Sequence, residues 1–241
     1  MKIDVLFSVA AVPENYFNDK NCIVIDLLRA SSTIITALNN GAKEIIPVNS
    51  VEEALKISKN LDKSSYLLCG ERQTQTIEGF DLGNSPLEFT EEKVKGKRII
   101  FSTTNGTKVF NHLKNAKKVL LAATSNVSTV ALEMVKSRED WVIICAARDG
   151  FFDASDALCA GILISKIHQQ IKETLSLNDA ARLSLMYFEN SPKKIEKVLR
   201  ETDHGKFLVE NNFENDIKFI SQIDIYYNKA RFKNNLITLL N

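Results

Sequence analysis

Short, uninterrupted apolar runs recur along the first two-thirds of the chain, and they constrain the fold more than any other feature. The runs at 21–26 (NCIVID), 43–48, 65–69, 98–102, 118–122 and 141–146 hold five or six residues each. They do not alternate with polar residues, so each reads as a strand buried on both faces. Such strands belong to parallel sheets covered by helices. Helical patterns fall between them: 31–40, stopped at Gly41; a helix from Ser50 to about Leu61, with Ser50 and Glu53 at capping-box spacing; and 127–136. The opening residues 1–7 read as a first strand. After Ala154 the pattern turns helical, at 157–171, at 179–189 and beyond Pro192. The stretch 217–225 reads equally as a helix or an edge strand. The expected fold is therefore α/β, a three-layer α/β/α arrangement with a mostly parallel sheet and a helical C-terminal third. With no repeat and no Gly-, Pro- or Ser-rich linker, one domain over 1–241 is the simplest organisation.

Composition removes several function classes. The net charge of +1 comes from 31 basic and 30 acidic residues scattered along the chain, so no basic tract for nucleic acid or an anionic membrane stands out. No segment approaches the roughly 20 apolar residues of a membrane-spanning helix, and the N-terminus lacks a signal-peptide pattern. The four cysteines form no Cys-x-x-Cys pair and mostly lie in or beside apolar runs. They read as structural thiols of a cytoplasmic protein. His112, His168 and His204 share no metal-ligand spacing, and each reads as a surface or helix-packing residue.

The polar clusters follow strands. In an open parallel sheet the strand C-termini share one edge, so distant clusters converge there. The first cluster, at 26–33, holds Asp26, Arg29, Ser31 and Ser32: a carboxylate, a guanidinium and hydroxyls at a helix start, which suit a phosphate. The alternative is an ordinary cap and ion pair. The second places Glu71, Arg72, Asp81 and Asn84 in a long loop over 70–86, where Glu71 and Asp81 are hard oxygen donors suited to Mg²⁺. The third, Thr103, Thr104, Asn105, Gly106 and Thr107, suits an anion nest, although Asn-Gly is also a hairpin signal. The fourth brings Arg148 as an anion contact, with Asp149, Asp153 and Asp156 as metal or acid–base candidates. No Walker or Gly-x-Gly-x-x-Gly spacing is present.

Together the clusters resemble the 2-phosphosulfolactate phosphatase family. The resemblance rests on DLLRASST at 26–33, GER at 70–72, GFDLGNSPLE at 79–88, TTNGT at 103–107 and DALCAG at 156–161. A weaker echo lies at His204-Gly205-Lys206 and Asp216-Ile217. Members often carry a glycine-rich stretch between GER and GFDLGNSP, where this chain has residues 73–78, QTQTIE. The resemblance implies Mg²⁺-dependent hydrolysis of 2-phospho-3-sulfolactate, a step of coenzyme M biosynthesis in organisms that have it. The expected metal ligands come from Asp26, Glu71, Asp81 and Asp156. Arg29, Ser31, Ser32 and the 103–107 loop would take the phosphate, and Arg72 and Arg148 the carboxylate and sulfonate. Attack by water and attack by Asp26 both stay open. The rival readings are a phosphatase for another small anionic phosphoester and a non-catalytic phosphoester-binding protein. Apolar residues on the C-terminal helices leave room for a homodimer.

Overall fold

The computed structural model describes residues 1–10, 12–104, 106–171 and 173–240. Its strands are β1 (Lys2–Leu6), β2 (Asn21–Ile25), β3 (Glu44–Pro47), β4 (Tyr66–Arg72), β5 (Gln75–Thr76), β6 (Arg98–Ser102), β7 (Lys118–Leu121), β8 (Trp141–Cys145), β9 (Ser176–Leu177), β10 (Ala230–Lys233) and β11 (Leu236–Leu239). Its helices are α1 (Ala30–Asn39), α2 (Val51–Ser58), α3 (Glu91–Val94), α4 (Gly106–Val109), α5 (Val127–Ser137), α6 (Ala154–His168), α7 (Asp179–Glu189), α8 (Ile195–Glu201), α9 (Asp203–Glu210) and α10 (Glu214–Ile220). The predicted parallel sheet is present. Strands β2 and β8 are buried at every residue, as their unbroken apolar runs require, and they pair with each other.

The sheet order is β5-β4-β6-β3-β11-β10-β7-β2-β8-β1-β9. It contains two parallel blocks, β4-β6-β3 and β7-β2-β8-β1-β9, joined by the antiparallel hairpin β10–β11. This hairpin is absent from the sequence reading. Its turn, Asn234-Asn235, has φ of 53° and 59°, the left-handed pair that a two-residue primed turn needs and that Asn tolerates. Stretch 217–225 resolves into the end of α10 followed by irregular chain.

The hairpin also modifies the expectation of one common sheet edge. Strand β3 is antiparallel to β11, β11 to β10, and β10 to β7, so the two blocks are linked in opposite sense. Right-handed twist accumulates over those three pairings and turns one block relative to the other. The loops after β2, β4, β6 and β8 nonetheless meet, through bonds described below. One apolar cluster runs through both blocks, from Ile45 and Ile99 to Ile23 and Ile143, and includes Ile237 of the hairpin.

Local signals hold in most places. Ser50 Oγ accepts the Glu53 N–H at 3.1 Å at the start of α2, as the capping-box spacing predicts. Asp153 caps α6 by accepting the Ser155 N–H, so this helix starts three residues earlier than its periodicity suggests. Pro192 does not open a helix, because α8 begins at Ile195. The 70–86 segment is more ordered than a loop: β4 continues to Arg72 and turns back through β5. All four cysteines are buried and free. No helix among the described residues is long and apolar enough to cross a membrane.

Gly70 shows how the fold delivers a site residue. It has φ of 151°, and a Cβ there would lie 2.0 Å from the Ser102 carbonyl oxygen of β6. Only glycine lets β4 stay in register with β6 to the point where Glu71 emerges. Gly70→Ala is expected to lower unfolding free energy by at least about 2 kcal/mol through overpacking and backbone strain. Urea unfolding of the two proteins checks this, and an unchanged midpoint would contradict it.

Candidate active site

Asp26 follows β2 directly. Its Oδ1 accepts the Ala30 N–H at 3.2 Å, which anchors the first turn of α1. On its other side, a Cβ on Gly106 would come within 2.4 Å of Asp26 Oδ2. The exit of β6 therefore abuts the exit of β2, and glycine is required at the contact. Asp26 is deeply set but keeps part of its surface accessible. Burial pushes its carboxyl up to about 6, opposed by the charge of His204 and the Ala30 N–H and reinforced by Asp153 and Glu71.

Glu71 comes from the other block. Its Oε2 accepts the Thr74 N–H at 3.0 Å and its Oε1 accepts the Thr104 N–H at 2.9 Å, tying the β4 exit to the β6 exit. Asp156, in the first turn of α6, accepts N–H groups from Leu27 at 2.8 Å and Ala147 at 3.2 Å, tying the β2 exit to the β8 exit. Burial, then the charges of Asp153 and Asp26, push its carboxyl well above the usual range. It is 3% exposed and both its oxygens accept backbone N–H groups, so it ties the two exits together.

Asp153 and His204 form a pair that spacing did not reveal. Asp153 Oδ2 lies 2.8 Å from His204 Nδ1, and its Oδ1 accepts both the N–H and the hydroxyl of Ser155. Burial would raise the Asp153 carboxyl, but the hydrogen bond and charge of His204, with the Ser155 donors, hold it below its ordinary value. His204 thus lines a cavity with its ring bonded to Asp153, a placement that its spacing in the sequence did not suggest. Its partner is 51 positions away, and no local motif joins them. The only signal was the family echo at 204–206.

A cavity of about 680 Å³ is lined by Glu71, Thr74, Thr104, Arg148, His204 and Phe207, among others. Arg148 stacks on Phe207 at 4.4 Å and has no ion-pair partner among the described residues. Thr104 Oγ1 is buried and without a partner among the described residues. The cavity wall therefore brings a guanidinium, a carboxylate and an imidazole together, with the Thr104 hydroxyl buried beneath it.

Other expected contacts lie elsewhere. Arg29 is 3% exposed, and its guanidinium bonds Asp216 Oδ2 at 2.8 Å and the Thr74 carbonyl at 3.3 Å. It is a buried strut, not an open phosphate contact. Ser31 Oγ accepts the Asp26 N–H, Ser32 Oγ donates to the Leu27 carbonyl, and both are buried, so the hydroxyls fix the loop. Arg72 bonds the Glu71 carbonyl and the hydroxyl and carbonyl of Ser102, stapling β4 to β6. Asp81 is not brought to the cluster. Its Oδ2 accepts the Leu68 N–H in mid-strand, and it pairs with the exposed Lys63. Asn84 is buried, with its carbonyl accepting the Thr33 hydroxyl. Thr103 and Thr107 bond each other across the start of α4. Asn105 lies outside the described residues.

Of the four expected metal ligands, Asp26, Glu71 and Asp156 lie at the meeting strand exits, whereas Asp81 bonds back to its own neighbouring strand. Among the described residues, no three His, Cys, Asp or Glu side chains form a ready metal cage.

Comparison with known proteins agrees with this architecture of motifs. A family model described as 2-phosphosulpholactate phosphatase matches residues 6–234. A probable 2-phosphosulfolactate phosphatase of Caldanaerobacter subterraneus subsp. tengcongensis is 41% identical over 227 residues, spanning 94% of this chain and 93% of that protein. One from Thermotoga petrophila is 39% identical over 221 residues, 92% of each chain. One from Clostridium beijerinckii is 37% identical over 238 residues, 99% of each chain. A match that runs through every element around Asp26, Glu71, Asp153 and His204 leaves one conclusion: this chain belongs to the 2-phosphosulfolactate phosphatase family.

Proposed function

We propose that the chain hydrolyses 2-phospho-3-sulfolactate to 3-sulfolactate and phosphate with Mg²⁺, in the cytoplasm. In an organism that makes coenzyme M, the product would enter its biosynthesis. The observation that carries this reading is the cavity that Glu71, Thr104, Arg148 and His204 line together, with Asp153 bonded to His204 and with Asp26 within electrostatic reach of Glu71, Asp153 and His204.

The substrate carries phosphate, carboxylate and sulfonate on three carbons. Arg148 is the cavity guanidinium without an ion-pair partner among the described residues, and one guanidinium does not balance such an anion. Mutual repulsion among Asp26, Asp153 and Glu71 contributes to the raised Asp26 carboxyl, a setting that a dication would relieve. Mg²⁺ keeps several waters and takes one or two carboxylates, so Asp26 and Glu71 suffice to hold it. When bound, it would polarise the phosphoryl group and neutralise developing charge. Arg148 would hold and orient the anion. The bonds from Thr74 and Thr104 fix Glu71 before substrate arrives, which is the preorganisation that slow phosphoester hydrolysis demands.

Phosphate release from 2-phospho-3-sulfolactate by purified protein tests this, with Mg²⁺ and with excess EDTA. Rapid, EDTA-sensitive release is expected. Release only from phospholactate or phosphoglycolate would move the substrate assignment. No release from any of them by folded protein would overturn the reading.

A further inference from the structure

We propose that His204, oriented by Asp153, is the general acid that protonates the leaving alcohol oxygen. This rests on the phosphatase reading above and assigns a role within it.

Asp153 is the fixed partner of the pair. It is 6% exposed and caps α6, with Oδ1 held by two Ser155 donors at 2.8 and 2.6 Å. Its remaining oxygen faces His204 Nδ1 at 2.8 Å. An ionised carboxylate only accepts, so Nδ1 carries the hydrogen of that bond. Nε2 is then the ring nitrogen left for a ligand. His204 sits in the first turn of α9, where the Thr202 hydroxyl accepts the Gly205 N–H, so the ring is mounted on a capped helix. The side chain is 17% exposed and lines both the 680 Å³ cavity and an adjoining one of about 540 Å³. Arg148 lines both as well, so imidazole and guanidinium occupy the partition between the two spaces.

Phosphomonoester cleavage on an aliphatic alcohol has a specific need that this ring meets. The departing oxygen would leave as a strongly basic alkoxide unless it receives a proton as the P–O bond breaks. In the proposed step water forms the new O–P bond, the old P–O bond breaks, and the Nε2 proton passes to the leaving oxygen. Both water hydrogens arrive on the phosphate with the new oxygen, giving dihydrogen phosphate; it departs as such, the imidazole then taking a proton from solvent, or it first returns one proton to the imidazole and departs as the monohydrogen dianion. The second route restores protonated His204, and no oxidant or further reactant is needed. The step starts from the protonated ring, with the Asp153 carboxylate facing its Nδ1–H.

The test compares esters with different leaving groups. His204→Gln is expected to lose roughly 10²–10⁴-fold in kcat on 2-phospho-3-sulfolactate, the usual worth of a general acid. On 4-nitrophenyl phosphate, whose phenolate leaves without a proton, the same variant is expected to stay within about tenfold of the parent, well short of that general-acid loss. Equal losses on both esters, with thermal unfolding unchanged, would mean that His204 only shapes the cavity and would overturn the proposal. If the parent does not accept the nitrophenyl ester, rescue decides: His204→Ala regaining activity with added imidazole supports the acid role, and no regain overturns it. A parent enzyme that cleaves no phosphomonoester fails the underlying reading instead, and that outcome is visible before any variant is made.

Discussion

Asp26→Asn is expected to lose roughly a thousandfold or more in phosphate release, the scale of removing a group that acts on transition-state charge. The same substitution is expected to stabilise the metal-free protein at pH 8. The reason is that burial, with Asp153 and Glu71, holds the Asp26 carboxyl at about 6 against an ordinary 3.8. Between those values the folded chain keeps a proton that the unfolded chain has released. Stability from this group is therefore full below pH 4, falls as pH rises through 6, and stays low above it. Linkage puts the accumulated penalty at about 3 kcal/mol. Asn cannot ionise, retains an oxygen for the Ala30 N–H, and so removes the penalty. Urea unfolding in EDTA at pH 4 and pH 8 measures it. A variant that is inactive but no more stable at pH 8 than at pH 4, relative to the parent, would show that Asp26 is not under electrostatic stress.

That stress marks the limit of what the sequence discloses. The sheet was legible because β2 and β8 are buried on both faces and must be apolar throughout. The exits of β2, β4, β6 and β8 were legible as polar clusters for the same reason, since polarity resumes where burial ends. The central hairpin was not. Each of its strands has four residues, and β10 reads Ala-Arg-Phe-Lys, with only Ala230 and Phe232 turned inward. Nothing local says that such a short, half-charged segment will sit between two larger blocks.

The charged and hydrogen-bonding residues of the clusters divide in where the fold places them. Glu71 and Arg148 line the cavity, Glu71 while held by two backbone N–H groups, whereas Arg29, Arg72 and Asp81 bond partners away from it. A side chain's partner depends on tertiary distance, and Asp216 lies 187 positions from Arg29. His204 escaped for the same reason. A lone histidine has no spacing to betray it until the fold supplies Asp153.

The largest expected effect on stability is at Asp216. It and Arg29 have side chains 3% and 2% exposed and meet at 2.8 Å. Ser85 donates to the second Asp216 oxygen at 2.6 Å, and Phe213 covers the guanidinium at 4.1 Å. Asp216→Ala leaves the guanidinium buried and unpaired, which is expected to lower unfolding free energy by about 3–5 kcal/mol. That is a third or more of the total for many domains of ordinary stability. The damage should also reach the site, because Arg29 bonds the Thr74 carbonyl and the Thr74 N–H holds Glu71. The control is Arg29→Met with Asp216→Leu, which removes both charges and keeps the volume. It should recover much of the lost stability, since a buried ion pair adds little over an apolar one. It should not recover activity, because Thr74 still lacks its partner. Urea unfolding and phosphate release on the single and double variants separate the two effects. Equal stability loss in both would mean that the pair is needed for its shape rather than its charge.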